Sequence, residues 1–343
     1  MNPSDSGKEP AQKQASLPTP GPPVSPEQRL AYTHQVLQSV RPPQQPPPGF
    51  DPLHATPAEL QSYGLPPRPD KNKAPQAAAR WEQLMIKTRD ASMVVPTFKI
   101  RPRDRNPLAV KIRPQEAITG SEDVVVYDSS NWAGAIIFKS DVSTDNDSDY
   151  FNAVLADWVV PDPKPGEDNV DYWCSDAWVG IDGWTSVDVL QGGTTQDVFY
   201  DEAGKLAKDI YAWYEWYPAY AIEITNVPVQ AGDYVYCEVW ATDRTTGNFY
   251  IYNETTGQYT TVTFSAPNGY SLQGDSAEWI VEDRIGNSLA DFGSITFWYC
   301  WAEIGTDWKD LADADLIYLE ESGGDEATAQ IKDENTLVVT YDG

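Results

Sequence analysis

Histidine is nearly missing from this sequence: His34 and His54 are the two in 343 residues. From residue 121 onward there is none, which excludes Ser-His-Asp and Cys-His nucleophilic catalysis there, and every zinc site that needs imidazole. Cysteine is scarce too. Cys174, Cys237 and Cys300 allow three alternative single disulfides with one thiol left over, or buried free thiols, and the sequence does not choose. Cations are few: 24 Lys+Arg stand against 52 Asp+Glu, for a net charge of -28. Nucleic acid and anionic membrane surfaces both demand a basic footprint, so neither is expected as a partner. No apolar run reaches the ~18 residues of a transmembrane helix. The opening residues, Met1 to Lys8, precede no apolar stretch, so no secretory signal is recognisable and localisation stays open.

What is present is divided sharply along the chain. Residues 1–120 hold 22 of the 28 Pro, one of the 13 Trp, 16 Lys+Arg and 10 Asp+Glu. Residues 121–343 hold 12 Trp, 8 Lys+Arg and 42 Asp+Glu. A basic, proline-rich leader therefore precedes an acidic, aromatic-rich part. Within the leader, Ser25-Pro26-Glu27-Gln28 reads as a helix start, with Ser25 as N-cap and Gln28 completing a capping box. Leu30, Tyr32, Val36, Leu37 and Val40 form the expected apolar stripe, and a second short helix is expected over 78–88. The leader has too few apolar residues for a core of its own. It is either a linker-like tail or a segment ordered by lying on its neighbour.

From about Val124 the pattern becomes strand after strand: β-branched and aromatic residues broken by Gly, Asn and Asp turns. Expected strands include 132–138, 150–160, 177–181, 187–191, 210–217, 234–242, 248–253, 259–264, 277–282, 294–302, 315–320, 327–332 and 336–341. Thr246-Gly247-Asn248 and Thr256-Gly257-Gln258 are expected as hairpin turns. So many strands with almost no helical periodicity predict an all-β, antiparallel sandwich of two large sheets over 121–343.

Several segments hold residues that could do chemistry. In Ala277-Glu278-Trp279-Ile280-Val281-Glu282, period 2 places Ala277, Trp279 and Val281 on one face and Glu278, Ile280 and Glu282 on the other. The plain reading is a solvated acidic face. The two carboxylates lie about 13 Å apart at ~3.3 Å per residue, wider than the roughly 5–9.5 Å of a glycosidase pair. Trp178 to Gly183 and Val187 to Gly193 interleave apolar residues with Asp182, Asp188 and Gln191. In Ala212 to Pro218, Trp213, Glu215 and Tyr217 share one face, suited either to core or to a peptide or sugar groove.

With Ser130-Asn131-Trp132-Ala133-Gly134 at the front, these segments in this order resemble the motif series of the eqolisin family of glutamic peptidases. The resemblance covers residues 127–343. It implies a concanavalin-like sandwich of two roughly seven-stranded sheets, and an acid-acting endopeptidase with Gln191 and Glu278 as catalytic residues. It further implies that Trp178, Asp182, Trp213 and Glu215 line or support the site. No metal or cofactor is called for, and the expected partner is a polypeptide substrate met by a monomer. Carboxyl and amide suffice for the chemistry: a glutamate can take a proton from attacking water, and a glutamine can orient that water and donate to the oxyanion. The leader then reads as a pro-segment whose cations lie on the acidic domain, or as a tail. A non-catalytic, lectin-like sandwich binding glycan or peptide is the alternative function.

Overall fold

The computed structural model describes residues 24–41, 43–102, 110–112, 124–284, 286, 288–321 and 324–343. The described leader contributes helices α1 (Pro26–Ser39), α2 (Pro57–Ser62) and α3 (Pro75–Asp90), and strands β1 (Ser92–Met93), β2 (Phe98–Arg101) and β3 (Val110–Ile112). Strands β4 (Val126–Ser129), β5 (Trp132–Phe138), β6 (Phe151–Val159), β7 (Tyr172–Asp182), β8 (Val189–Tyr200), β9 (Leu206–Tyr217) and β10 (Ala221–Ile224) follow. Then come β11 (Tyr234–Asp243), β12 (Thr246–Asn253), β13 (Gln258–Ser265), β14 (Ser276–Glu282) and β15 (Ser294–Ile304). The chain ends on β16 (Asp307–Lys309), β17 (Asp315–Glu321), β18 (Gly324–Asp333) and β19 (Thr336–Tyr341). No helix among the described residues is long and apolar enough to cross a membrane.

The strands pair into one hydrogen-bonded network made of two runs. The first reads β3-β4-β17-β5-β14-β7-β8-β9-β10-β2. The second reads β18-β19-β15-β6-β11-β12-β13-β1, with β16 also paired to β15. Pairing of β17 with β18 links them. All neighbours are antiparallel except β4 with β17 and β1 with β13. Both runs feed a common core. Ala277, Trp279, Val281, Val179, Ile181, Leu190 and Tyr214 come from the first, and Val154, Trp158, Val239, Phe249 and Val262 from the second. Two indoles inside this core reach across it. Trp279 Nε1 donates to the Leu155 carbonyl at 2.9 Å and Trp158 Nε1 to Thr194 Oγ1 at 3.0 Å, so each buried N–H is satisfied.

The described part of the leader packs on this network and has no core of its own. Ser25 and Gln28 form the expected capping box of α1, and Thr56 and Glu59 form a second one on α2, which the sequence reading did not include. Of the expected stripe, Val36 is buried and Tyr32, Leu37 and Val40 pack partly buried against the core, whereas Leu30 is 40% exposed and α1 buries Arg29 and Thr33 as well. The cause lies in what α1 meets. Backbone carbonyls at Pro218 and Ala219 accept from Arg29, and Thr33 Oγ1 accepts from the Tyr220 N–H at 2.8 Å. On the second run, α2 and α3 bury Leu60, Ala77, Trp81, Leu84 and Met85 against Tyr236, Trp240, Tyr250, Tyr259 and Trp301. There Arg80 pairs with Asp157 at 2.6 Å and Glu254 at 2.9 Å. All three cysteines are free and buried. The turn expected at Thr246-Gly247-Asn248 falls earlier, at Arg244-Thr245, with Gly247 inside β12.

Candidate active site

Strand pairing places the predicted catalytic residues in one row across the first run. Glu278 on β14 stands opposite Gly180 on β7, Gly180 opposite Gln191 on β8, and Gln191 opposite Glu215 on β9. Residues in register across an antiparallel sheet project to the same face. With neighbouring strands about 4.8 Å apart, the backbones of Glu278 and Gln191 are about 10 Å apart, with only Gly180 between them. That glycine keeps the strip bare. A Cβ there would meet the Trp178 ring at 2.7 Å and the Gln191 Cβ at 3.3 Å.

The next row along the same face reads Ile280, Trp178, Gly193, Trp213. Trp178 and Trp213, with Trp132, Ile136, Trp184 and Val189, form the apolar cluster around the carboxylates. The opposite face of each strand feeds the common core, as the period-2 reading of 277–282 and 213–217 requires. One part of that reading is corrected: Glu278 and Glu282 are not solvated but 0% and 1% exposed. Gln191 is likewise fully buried.

Burial governs the electrostatics. Desolvation holds the Glu278 carboxyl well above the ordinary carboxylate range; the charge of Asp182 adds to this and the Ser276 hydroxyl opposes it. Among the described residues neither Glu278 oxygen has a partner of good hydrogen-bond geometry, and Gln191 Oε1 has none either. Gln191 Nε2 donates to Glu215 Oε2 at 3.4 Å. Buried polar atoms without partners are rare in folded proteins, and they converge here on the strip above Gly180.

Asp182 is not in this row. It ends β7 with φ at 73°, and its carboxylate accepts the backbone N–H groups of Gln273 (2.7 Å), Gly274 (2.9 Å) and Asp275 (2.8 Å). It thereby fixes the turn that delivers β14 and Glu278. Burial nevertheless pushes its carboxyl up to about 7. Next to Glu215, the leader contributes Arg29, 3.6 Å from Glu215 Oε1 and stacked 4.3 Å over the Tyr220 ring. Sequence reasoning missed Gly180 and Arg29 as part of this site. Both lie in segments it singled out, but only pairing and docking give them neighbours.

Residues 130–341 match the peptidase A4 family. The chain belongs to that family. Among its relatives, aspergillopepsin-2 from Aspergillus niger is 35% identical over 234 residues, covering 62% of this chain and 78% of that protein. Scytalidopepsin B from Scytalidium lignicola is 34% identical over 182 residues, covering 53% of this chain and 61% of that protein. Among solved structures, scytalido-glutamic peptidase with a transition state analog inhibitor aligns with a TM-score of 0.51 and 29% identity. It covers 62% of this chain and 98% of its own. This A4 chain is therefore a peptidase of the glutamic, or eqolisin, type, and the lectin-like alternative has no support among these relatives.

Proposed function

We propose that this A4 peptidase is an acid-acting endopeptidase in which Glu278 and Gln191 carry the hydrolysis. The observation that supports it is the register row: a buried carboxyl and a buried amide with unpartnered oxygens, on either side of a strip kept bare by Gly180. A substrate carbonyl lying over that strip is flanked by both groups. Burial holds the Glu278 carboxyl high while the face is dry; water that enters with the substrate lowers it toward the ordinary carboxylate range, which favours the base form. Glu278 takes a proton as water adds to the carbonyl carbon, and the amide N–H of Gln191 donates to the oxyanion. Glu278 then returns the proton to the departing amine as the C–N bond breaks. Gln191 Oε1 orients the water, while Glu215 and the indoles of Trp178 and Trp213 support the walls.

The finer architecture belongs to the same reading. The two strand runs are the two sheets of a concanavalin-like sandwich, which their shared core supports, and the enzyme acts as a monomer on a polypeptide. Residues 1–120 are a pro-segment on the 121–343 domain. Arg29 occupies the edge of the site beside Glu215, and acid loosens it by neutralising the carboxylate. The test is casein cleavage at about pH 3–5, spanning the carboxyl range, by wild type, Glu278→Ala and Gln191→Ala. Each variant is expected to lose at least ~10²-fold in kcat, the scale for one oxyanion donor. Equal activity in all three, or none in wild type, removes the proposal.

A further inference from the structure

The face that holds Glu278 and Gln191 contains another buried carboxylate with no part in the scheme above. Glu282 ends β14, one row beyond Trp178. Its Oε2 accepts the Trp178 indole N–H at 3.0 Å, and its Oε1 lies 3.5 Å from Asn131 Nδ2. Asn131 in turn accepts the Asp283 N–H through its backbone carbonyl at 2.9 Å, so the acceptor is anchored on both sides of the strand end. Trp132 packs edge-on against Trp178, ring centroids 5.1 Å apart. Asp176, opposite Glu282 in register, is engaged by Arg284 at 3.0 Å and by the Thr195 hydroxyl at 2.6 Å. The far edge of the same indole lies against Gly180: Cζ3 and Cε3 are 2.7 and 3.1 Å from where a Cβ would stand.

We infer that Glu282 is a positioning residue: through the Trp178 indole it sets the wall of the gap between Glu278 and Gln191. The inference rests on the assignment of that pair. A buried indole N–H needs an acceptor, and Glu282 Oε2 supplies it at 3.0 Å. Fixing N–H at one end of the ring fixes the opposite edge at Gly180, where the substrate carbonyl is to lie. Misplacement by about 1 Å at such a position costs on the order of 10²-fold in rate.

The experiment is a double-mutant cycle on kcat/KM with Glu282→Ala, Trp178→Phe and the combination, with melting curves recorded for each. Trp178→Phe keeps an aromatic ring but removes the N–H. Each single variant is expected to lose ~10–100-fold, and the double variant to be no worse than the poorer single. Glu282→Gln, which keeps an acceptor oxygen, should restore most of the activity. If Glu282→Ala does not fold, Glu282→Leu replaces it in the cycle. Losses that multiply in the double variant, or wild-type activity in the Glu282 variant, overturn the inference. Glu278→Ala run in parallel separates the two readings. Full activity there overturns the catalytic pair and this inference with it; an inactive Glu278→Ala with multiplying losses overturns the role of Glu282 alone.

Discussion

Raising the pH from about 4 to about 8 should destabilise this protein by several kcal/mol, because its buried carboxyls are held above their ordinary values. Asp182 is pushed from 3.8 up to about 7 and Glu238 from 4.5 up to about 8, both mainly by burial. A raised folded value means that the folded state binds the proton more tightly than the unfolded chain. The stabilisation is complete below the ordinary value and is lost as pH rises through the folded one. For Asp182 that window runs from 3.8 to about 7. At about 1.4 kcal/mol per tenfold change in proton affinity, it corresponds to about 4 kcal/mol. Glu238, 1% exposed beneath the leader and bonded to Tyr236, contributes a similar amount between 4.5 and about 8. Relaxation around an ionised group reduces both figures, yet the whole stability of a domain is only ~5–15 kcal/mol. For a domain of this size 1 kcal/mol moves Tm by ~2–4 °C, so Tm should fall by about 10 °C or more across the range. Calorimetry at intervals between these pH values measures it. Repulsion within a chain of net charge -28 acts in the same direction. Glu238→Gln isolates the buried group, since its profile should be flatter than that of wild type. A wild-type Tm that is constant or rises from about pH 4 to about pH 8 refutes the reasoning.

Three other outcomes follow from particular contacts. Gly180→Ala puts a methyl against Trp178 and Gln191 at 2.7 and 3.3 Å; peptide cleavage should drop by ~10²-fold, and an unimpaired variant would show that the bare strip is not needed. In the full chain, Arg29→Ala removes the cation beside Glu215. Activity before any shortening should rise several-fold at about pH 5, and no change would mean that α1 does not restrain the site. Trp81, 3% exposed among Leu60, Leu84, Tyr236 and Tyr259, anchors the leader on the second run. Trp81→Ala should lower stability by ~3–5 kcal/mol in urea unfolding, and a loss below about 1 kcal/mol would place α3 outside the cooperative unit.

Much of the strand pattern was legible because β-branched and aromatic runs are broken by Gly, Asn and Asp turns. The limits 132–138 and 336–341 agree with β5 and β19 to the residue. Strands β7 and β8 run longer than expected, since polar residues such as Asp176, Thr195 and Asp197 sit buried inside them instead of ending them. Short strands β1, β2 and β10 carry too few residues for any period to stand out. Exposure of Glu278 was misjudged because acidic side chains usually face solvent, and strand period fixes which face a residue points to but not what covers that face. The same limit applies to α1, where carbonyls near Pro218 decide that Arg29 and not Leu30 is buried.

By itself, then, the absence of histidine after residue 54, together with the motif series, directed the chemistry toward one glutamate and one glutamine. The pair itself came from the resemblance of that series to the eqolisin family; two-residue spacing, a property of the chain alone, gave only the faces on which its members lie. Tertiary structure decided everything that depends on residues far apart meeting. Pairing of β14, β7 and β8 brought Glu278, Gly180 and Gln191 into one row from positions 278, 180 and 191. Burial then changed the acidity of the carboxyls, because the cost of a charge depends on the water around it, and that water is excluded only by the assembled fold.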